Sequence, residues 1–134
     1  MLGVDTNVLV RFFTEDEPTQ FALARKLVEN ATEGQLFVNP IVLVELNRVL
    51  RRLYHMPRAE VAMVLNGLMD FKEFTIGDRD LAVRAIAAAE ATGVDFSDAL
   101  IALLHEKSGC TQTVTFDVRA QRLTQMIAVE EVVA

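Results

Sequence analysis

Short apolar runs alternate along the chain with longer stretches in which apolar residues recur at helical spacing, the pattern of an α/β layer fold. Leu2-Gly3-Val4 predicts a first strand, short and uninterrupted and therefore buried on both faces. Asp5-Thr6-Asn7 supplies capping side chains ahead of a helical run from Val8 to Phe13. Beyond the acidic loop at Glu15-Asp16-Glu17-Pro18, Phe21, Leu23, Ala24, Leu27 and Val28 repeat as one face of a second helix, which ends by Gly34. Leu36-Phe37-Val38 predicts a second strand, and Asn39-Pro40 is a helix start with Pro at the first helical position. That helix runs through Glu45 to about residue 55, and Pro57 opens another reaching Asp70.

The second half repeats the scheme. A strand is expected over 73–76, then an alanine-rich helix capped by Asp78 and ended by Gly93. Asp95-Phe96-Ser97-Asp98 opens a helix to Lys107, Gln112 to Phe116 is a strand, and a helical turn follows Asp117. The segment 127–133 suits an edge strand. Strand–helix repetition predicts a mainly parallel sheet of four to five strands with right-handed crossovers. No linker or internal repeat interrupts it, so residues 1–134 read as a single domain.

Composition narrows the chemistry. With one cysteine and two histidines the chain holds neither a disulfide framework nor a Cys/His zinc cluster. No apolar stretch approaches the roughly 20 residues of a membrane helix, and the N-terminus lacks a basic leader, so a cytoplasmic setting without membrane contact is expected. A net charge of −6 argues against non-specific coating of nucleic acid, which depends on neutralising phosphates. It leaves room for an enzyme with acids at a metal site and bases along the substrate track. Arg48, Arg51, Arg52 and Arg58 are such bases, able to contact RNA or an acidic partner, or to form an ordinary solvated helix face. No glycine-rich dinucleotide loop or phosphate loop is present.

Ligands of parallel α/β sheets bind outside the carboxyl ends of the strands, and four acids fall near such positions. Asp5 and Asp117 follow strands, Asp98 lies in the first turn of a helix, and Glu45 lies within the helix after the second strand. Asp5, Asp98 and Asp117 are also well placed to cap helices, and Asp95 is the better cap for the helix holding Asp98. Glu45 is too deep in Ile41-Val42-Leu43-Val44-Glu45-Leu46 to cap anything. Its apolar neighbours predict a carboxylate drawn from water, which must be protonated, paired with Arg48, or bound to metal. Convergence of the four would require a cation, and oxygen-only ligation selects Mg²⁺ or Mn²⁺. Asn7 and Thr115 could then orient carboxylates from behind. His55, His105 and Cys110 show no ligand spacing, with Cys110 expected to pack, while Phe12, Phe13, Phe21, Leu50, Leu53, Met63 and Met69 suit a core or a dimer face.

These residues resemble a known family. Asp5-Thr6-Asn7-Val8-Leu9, Val44-Glu45-Leu46, Asp95-Phe96-Ser97-Asp98-Ala99-Leu100-Ile101-Ala102 and Thr115-Phe116-Asp117 are similar, in order, to the four acidic motifs of PIN-domain ribonucleases, and the length suits the VapC-type toxin branch. The resemblance implies a three-layer sandwich and Mg²⁺ or Mn²⁺ held by Asp5, Glu45, Asp98 and Asp117, supported by Asn7 and Thr115. It implies endonucleolytic cleavage of RNA leaving a 5′-phosphate, a homodimer, and a cognate antitoxin. Past Asp117 the sequence departs from many relatives, with Ala120 or Gln121 where they carry an aromatic residue. Two rivals remain: a haloacid-dehalogenase-type phosphatase, disfavoured because Asn7 stands where a second Asp is needed, and a non-catalytic protein-binding domain whose acids are caps.

Overall fold

Polar caps, prolines and glycines divide the chain into elements close to those expected, in a computed structural model describing residues 1–134. Its residues divide into two compact units, Met1–Arg79 and Asp80–Ala134.

In the first unit β1 (Leu2–Gly3) leads to α1 (Thr6–Thr14) and α2 (Pro18–Asn30). Then come β2 (Leu36–Val38), α3 (Pro40–Arg52), α4 (Arg58–Asp70) and β3 (Phe74–Ile76). The strands form one parallel sheet in the order β1-β2-β3, with Leu2 opposite Leu36 and Phe37 opposite Thr75. Polar side chains cap α2 and α3, Asn39 as the sequence led one to expect and Glu17 from what reads as a loop. Glu17 accepts from the Gln20 amide at 2.7 Å, and Asn39 accepts from the Val42 amide at 2.9 Å ahead of Pro40. The turn into β2 depends on Gly34, whose φ of 70° suits glycine and whose missing Cβ would stand 3.0 Å from Thr75 Oγ1. Leu9 and Val10 of α1, Leu43, Leu46 and Leu50 of α3, and Leu65 and Leu68 of α4 are buried with Leu36 and Val38 of the sheet.

In the second unit α5 (Arg79–Thr92, its first residue closing the first unit) and α6 (Phe96–Lys107) precede β4 (Thr113–Thr115). A 3-10 turn (Ala120–Arg122), β5 (Met126–Ala128) and α7 (Val129–Val133) complete the chain. β4 and β5 pair in parallel, Thr113 opposite Met126. Gly93 (φ 75°) and Gly109 (φ 96°) follow α5 and α6 in the left-handed region that glycine favours. Each ladder is parallel within itself, one of three strands and one of two, rather than a single continuous ladder.

Several expectations need correction. β1 is not buried on both faces: it is an edge strand with one neighbour, and Leu2 and Gly3 are exposed, Val4 alone being buried. The segment 127–133 is not one strand. Three residues pair with β4, then Glu130 and Glu131 stand in the first turn of α7, where their charges suit the helix N-terminus. Cys110 is exposed rather than packed, and Leu53 and Met63 are exposed while Leu50 and Met69 are buried. No helix is long and apolar enough to cross a membrane.

Candidate metal centre

The four acids are divided between the units, two in each. In the first, Asp5 is the N-cap of α1, and its Oδ1 accepts from the Thr6 amide at 2.7 Å. Thr6 is itself 7% exposed, so its hydroxyl needs a partner inside the protein. That partner is Glu45: Thr6 Oγ1 donates to Glu45 Oε2 at 3.1 Å, across 39 positions of sequence. One residue thus holds both acids, Asp5 by its amide and Glu45 by its hydroxyl. Each carboxylate spends one oxygen on Thr6, and the second oxygen of each can serve a cation.

Glu45 reaches this position for a different reason from the one its neighbours suggest. The buried stripe of α3 runs through Leu43, Leu46, Asn47 and Leu50, and Glu45 lies off it. At 100° per residue, Glu45 is turned about 200° from Leu43, and Ile41, on the same side, is 67% exposed. Glu45 is exposed, so its carboxylate is not drawn from water. It is not paired with Arg48 either. Ion pairs form elsewhere, among them Arg11–Asp16, Arg25–Glu29 and Arg84–Glu106.

In the second unit, Asp95 is the N-cap of α6, accepting from the Ser97 amide at 3.0 Å, and Asp98 stands half-buried in the first turn. Asp95 is thus the cap that the run Asp95-Phe96-Ser97-Asp98 led one to expect. Asp117 follows β4 and its Oδ1 accepts from the Ala120 amide at 3.1 Å, which starts the 3-10 turn. Thr115 accepts from the Asp117 amide at 3.0 Å, so it fixes the backbone of the acid and not its carboxylate. No three His, Cys, Asp or Glu side chains are gathered as a ready-made metal site.

The donor set suits a hard divalent cation. All four candidates offer carboxylate oxygens and no nitrogen or sulfur, which fits Mg²⁺ or Mn²⁺. Asp5 and Asp98 also stand at helix N-termini, Asp5 as the cap of α1 and Asp98 in the first turn of α6.

The basic residues take different roles. Arg51 donates to the Met56 carbonyl at 2.9 Å and so secures the end of α3, whereas Arg48 and Arg52 are exposed and enter no ion pair. Asn7 is exposed on α1 and lines a groove of 510 Å³ with Val8, Arg11, Gln20 and Leu23. His105 shares a 3.0 Å hydrogen bond with Thr113 and His55 is exposed. Thr6 is the residue that sequence reasoning passed over; a polar side chain directly after a candidate ligand, at the first position of a helix, was its only signal.

The chain is thus an α/β protein with one carboxylate at the end of its first strand and a second bonded through the buried Thr6 beside it. Residues 3–125 match the PIN domain family, and the chain belongs to it. PIN domains are generally metal-dependent nucleases. No curated protein matches the chain.

Proposed function

We propose that this protein is a Mg²⁺- or Mn²⁺-dependent endoribonuclease of the VapC toxin type, acting in the cytoplasm as a single domain and a homodimer, and restrained by a cognate antitoxin. The observation that carries the reading is the Thr6 bridge, which holds Asp5 and Glu45 together inside a PIN-family chain. Asp98 and Asp117 are the remaining proposed ligands, on the strength of the motifs they occupy. Asp5, Glu45, Asp98 and Asp117 would hold a divalent ion, which would supply a more acidic water and offset charge on the phosphate. The chain's own contribution is positional. Thr6 keeps the two carboxylates of its unit in one orientation, and Thr115 and Ala120 hold the Asp117 backbone and carboxylate. Arg48 and Arg52, exposed and outside the ion pairs, suit contact with an RNA backbone or with the acidic segment of an antitoxin.

Glu45→Gln and Asp5→Asn test the reading, since each preserves shape and removes one charge. Both are expected to abolish Mg²⁺-dependent RNA cleavage and leave the far-ultraviolet circular dichroism unchanged. Cleavage at the wild-type rate by both variants would overturn the assignment. Release of phosphate from small phosphomonoesters with RNA left intact would point to a phosphatase. Absence of both activities and of any Mn²⁺ binding would leave the acids as caps of a binding domain.

A further inference from the structure

The turn between α1 and α2 is built around a polar cluster that the nuclease reading does not use. Arg11, on α1, donates through Nε to Gln20 Oε1 at 2.7 Å and through Nη1 to Asp16 Oδ1 at 3.2 Å and to the Tyr54 hydroxyl at 3.3 Å. Tyr54, two residues beyond the end of α3, donates to Asp16 Oδ2 at 2.8 Å, and the Thr14 hydroxyl donates to Asp16 Oδ1 at 2.9 Å. Asp16 thus accepts from three side chains, one of them 38 positions away.

The cluster lies on the same two helices as the acid pair. α1 is hydrogen-bonded to α3 by Thr6 and Glu45, and its far end is tied to Tyr54, two residues beyond α3, by Arg11 and Asp16. Burial of Leu9 and Val10 holds α1 against the core without direction, and one hydrogen bond fixes its orientation at one point only. Two ties, separated by about 7.5 Å along α1, fix both its rotation and its sliding.

We propose that Arg11, Asp16 and Tyr54 form a clasp that positions α1 on α3, so that Asp5 and Glu45 keep the spacing needed to bind a divalent cation. The inference rests on the nuclease reading and adds three positioning residues to it. Tyr54→Phe removes one hydroxyl and leaves the ring, and Asp16→Asn removes the charge at the surface.

The test combines titration calorimetry with Mn²⁺ alone, an RNA cleavage assay over a range of Mn²⁺, and the same measurements in a Thr6→Val background. Removing a group that orients metal ligands from behind costs about 10- to 100-fold in affinity. At one further remove, Tyr54→Phe is expected to weaken Mn²⁺ binding by about tenfold, at the low end of that range. Cleavage should fall at limiting Mn²⁺ and recover at excess, with KM for RNA unchanged. In the Thr6→Val background the same substitution should add less than about twofold, because the two ties act on one geometry. Wild-type Mn²⁺ affinity in folded Tyr54→Phe, or in Asp16→Asn should Tyr54→Phe not fold, overturns the clasp whatever happens to the melting temperature. Equal losses with and without Thr6 overturn it too. A wild-type protein that neither binds Mn²⁺ nor cuts RNA overturns the nuclease reading itself, and the clasp's purpose with it.

Discussion

Thr6 shows how much one buried hydroxyl can decide. Its amide and its side chain each engage a different carboxylate, so neither acid depends on burial for its place. The hydroxyl is satisfied only by Glu45, which makes α1 and α3 answerable to each other. Asp16 is the opposite case, an exposed acid held by its neighbours. The Tyr54 hydroxyl chiefly, then the Thr14 hydroxyl and the Arg11 guanidinium, hold its carboxyl below the usual aspartate value, against some opposing desolvation. A carboxyl whose folded-state value is depressed contributes stability above its unfolded value and loses it as pH falls through the folded one. Thermal melts of wild type and Asp16→Asn should therefore differ by a constant margin near neutrality and converge below about pH 4. A margin that persists to lower pH would show that charge at Asp16 is not what the cluster stabilises.

At the scale of elements, the starts of helices were the most legible part of the sequence. Asn39-Pro40 and Pro57 each mark a boundary through local chemistry, a side chain reaching its own backbone or a ring that fixes φ, and no distant residue has to be known. The Asn39 cap begins the helix that carries Glu45, so Asn39→Ala should cost about 1 kcal/mol, read as a lower urea midpoint with unchanged slope. The environment of Glu45 was misread for the complementary reason. Ile41-Val42-Leu43-Val44 is a run of apolar residues, but a helix buries a stripe and not a run, and Leu43, Leu46, Asn47 and Leu50 define it. Periodicity could have exposed the error. Nothing local could have paired Thr6 with Glu45 or Tyr54 with Asp16, because those contacts depend on how two helices cross. The same holds for β1, whose apolar character says nothing about whether it lies inside the sheet or at its edge.

For the whole molecule, the family match from residue 3 to residue 125 covers both compact units, and the motif-bearing acids are shared equally between them. Three of the four, Asp5, Asp98 and Asp117, were legible as capping positions or helix-start positions, and two of these do accept helix or turn amides. A cap and a metal ligand are compatible, since a carboxylate has two oxygens. If the proposed ligands bind a divalent ion in the native state and not when unfolded, Mn²⁺ at 100 times its dissociation constant should stabilise the protein by about 2.7 kcal/mol. The melting temperature should rise accordingly, return with chelator, and stay flat in Asp98→Asn. An equal rise in that variant would remove Asp98 from the ligand set.

The exposure of Glu45 carries a kinetic meaning beyond geometry. An acid pair reached directly from bulk water loads and releases its ion as fast as diffusion and dehydration allow, with no slow opening of the chain in between. On the reading proposed here, how much enzyme is armed at any moment follows the free magnesium or manganese of its surroundings.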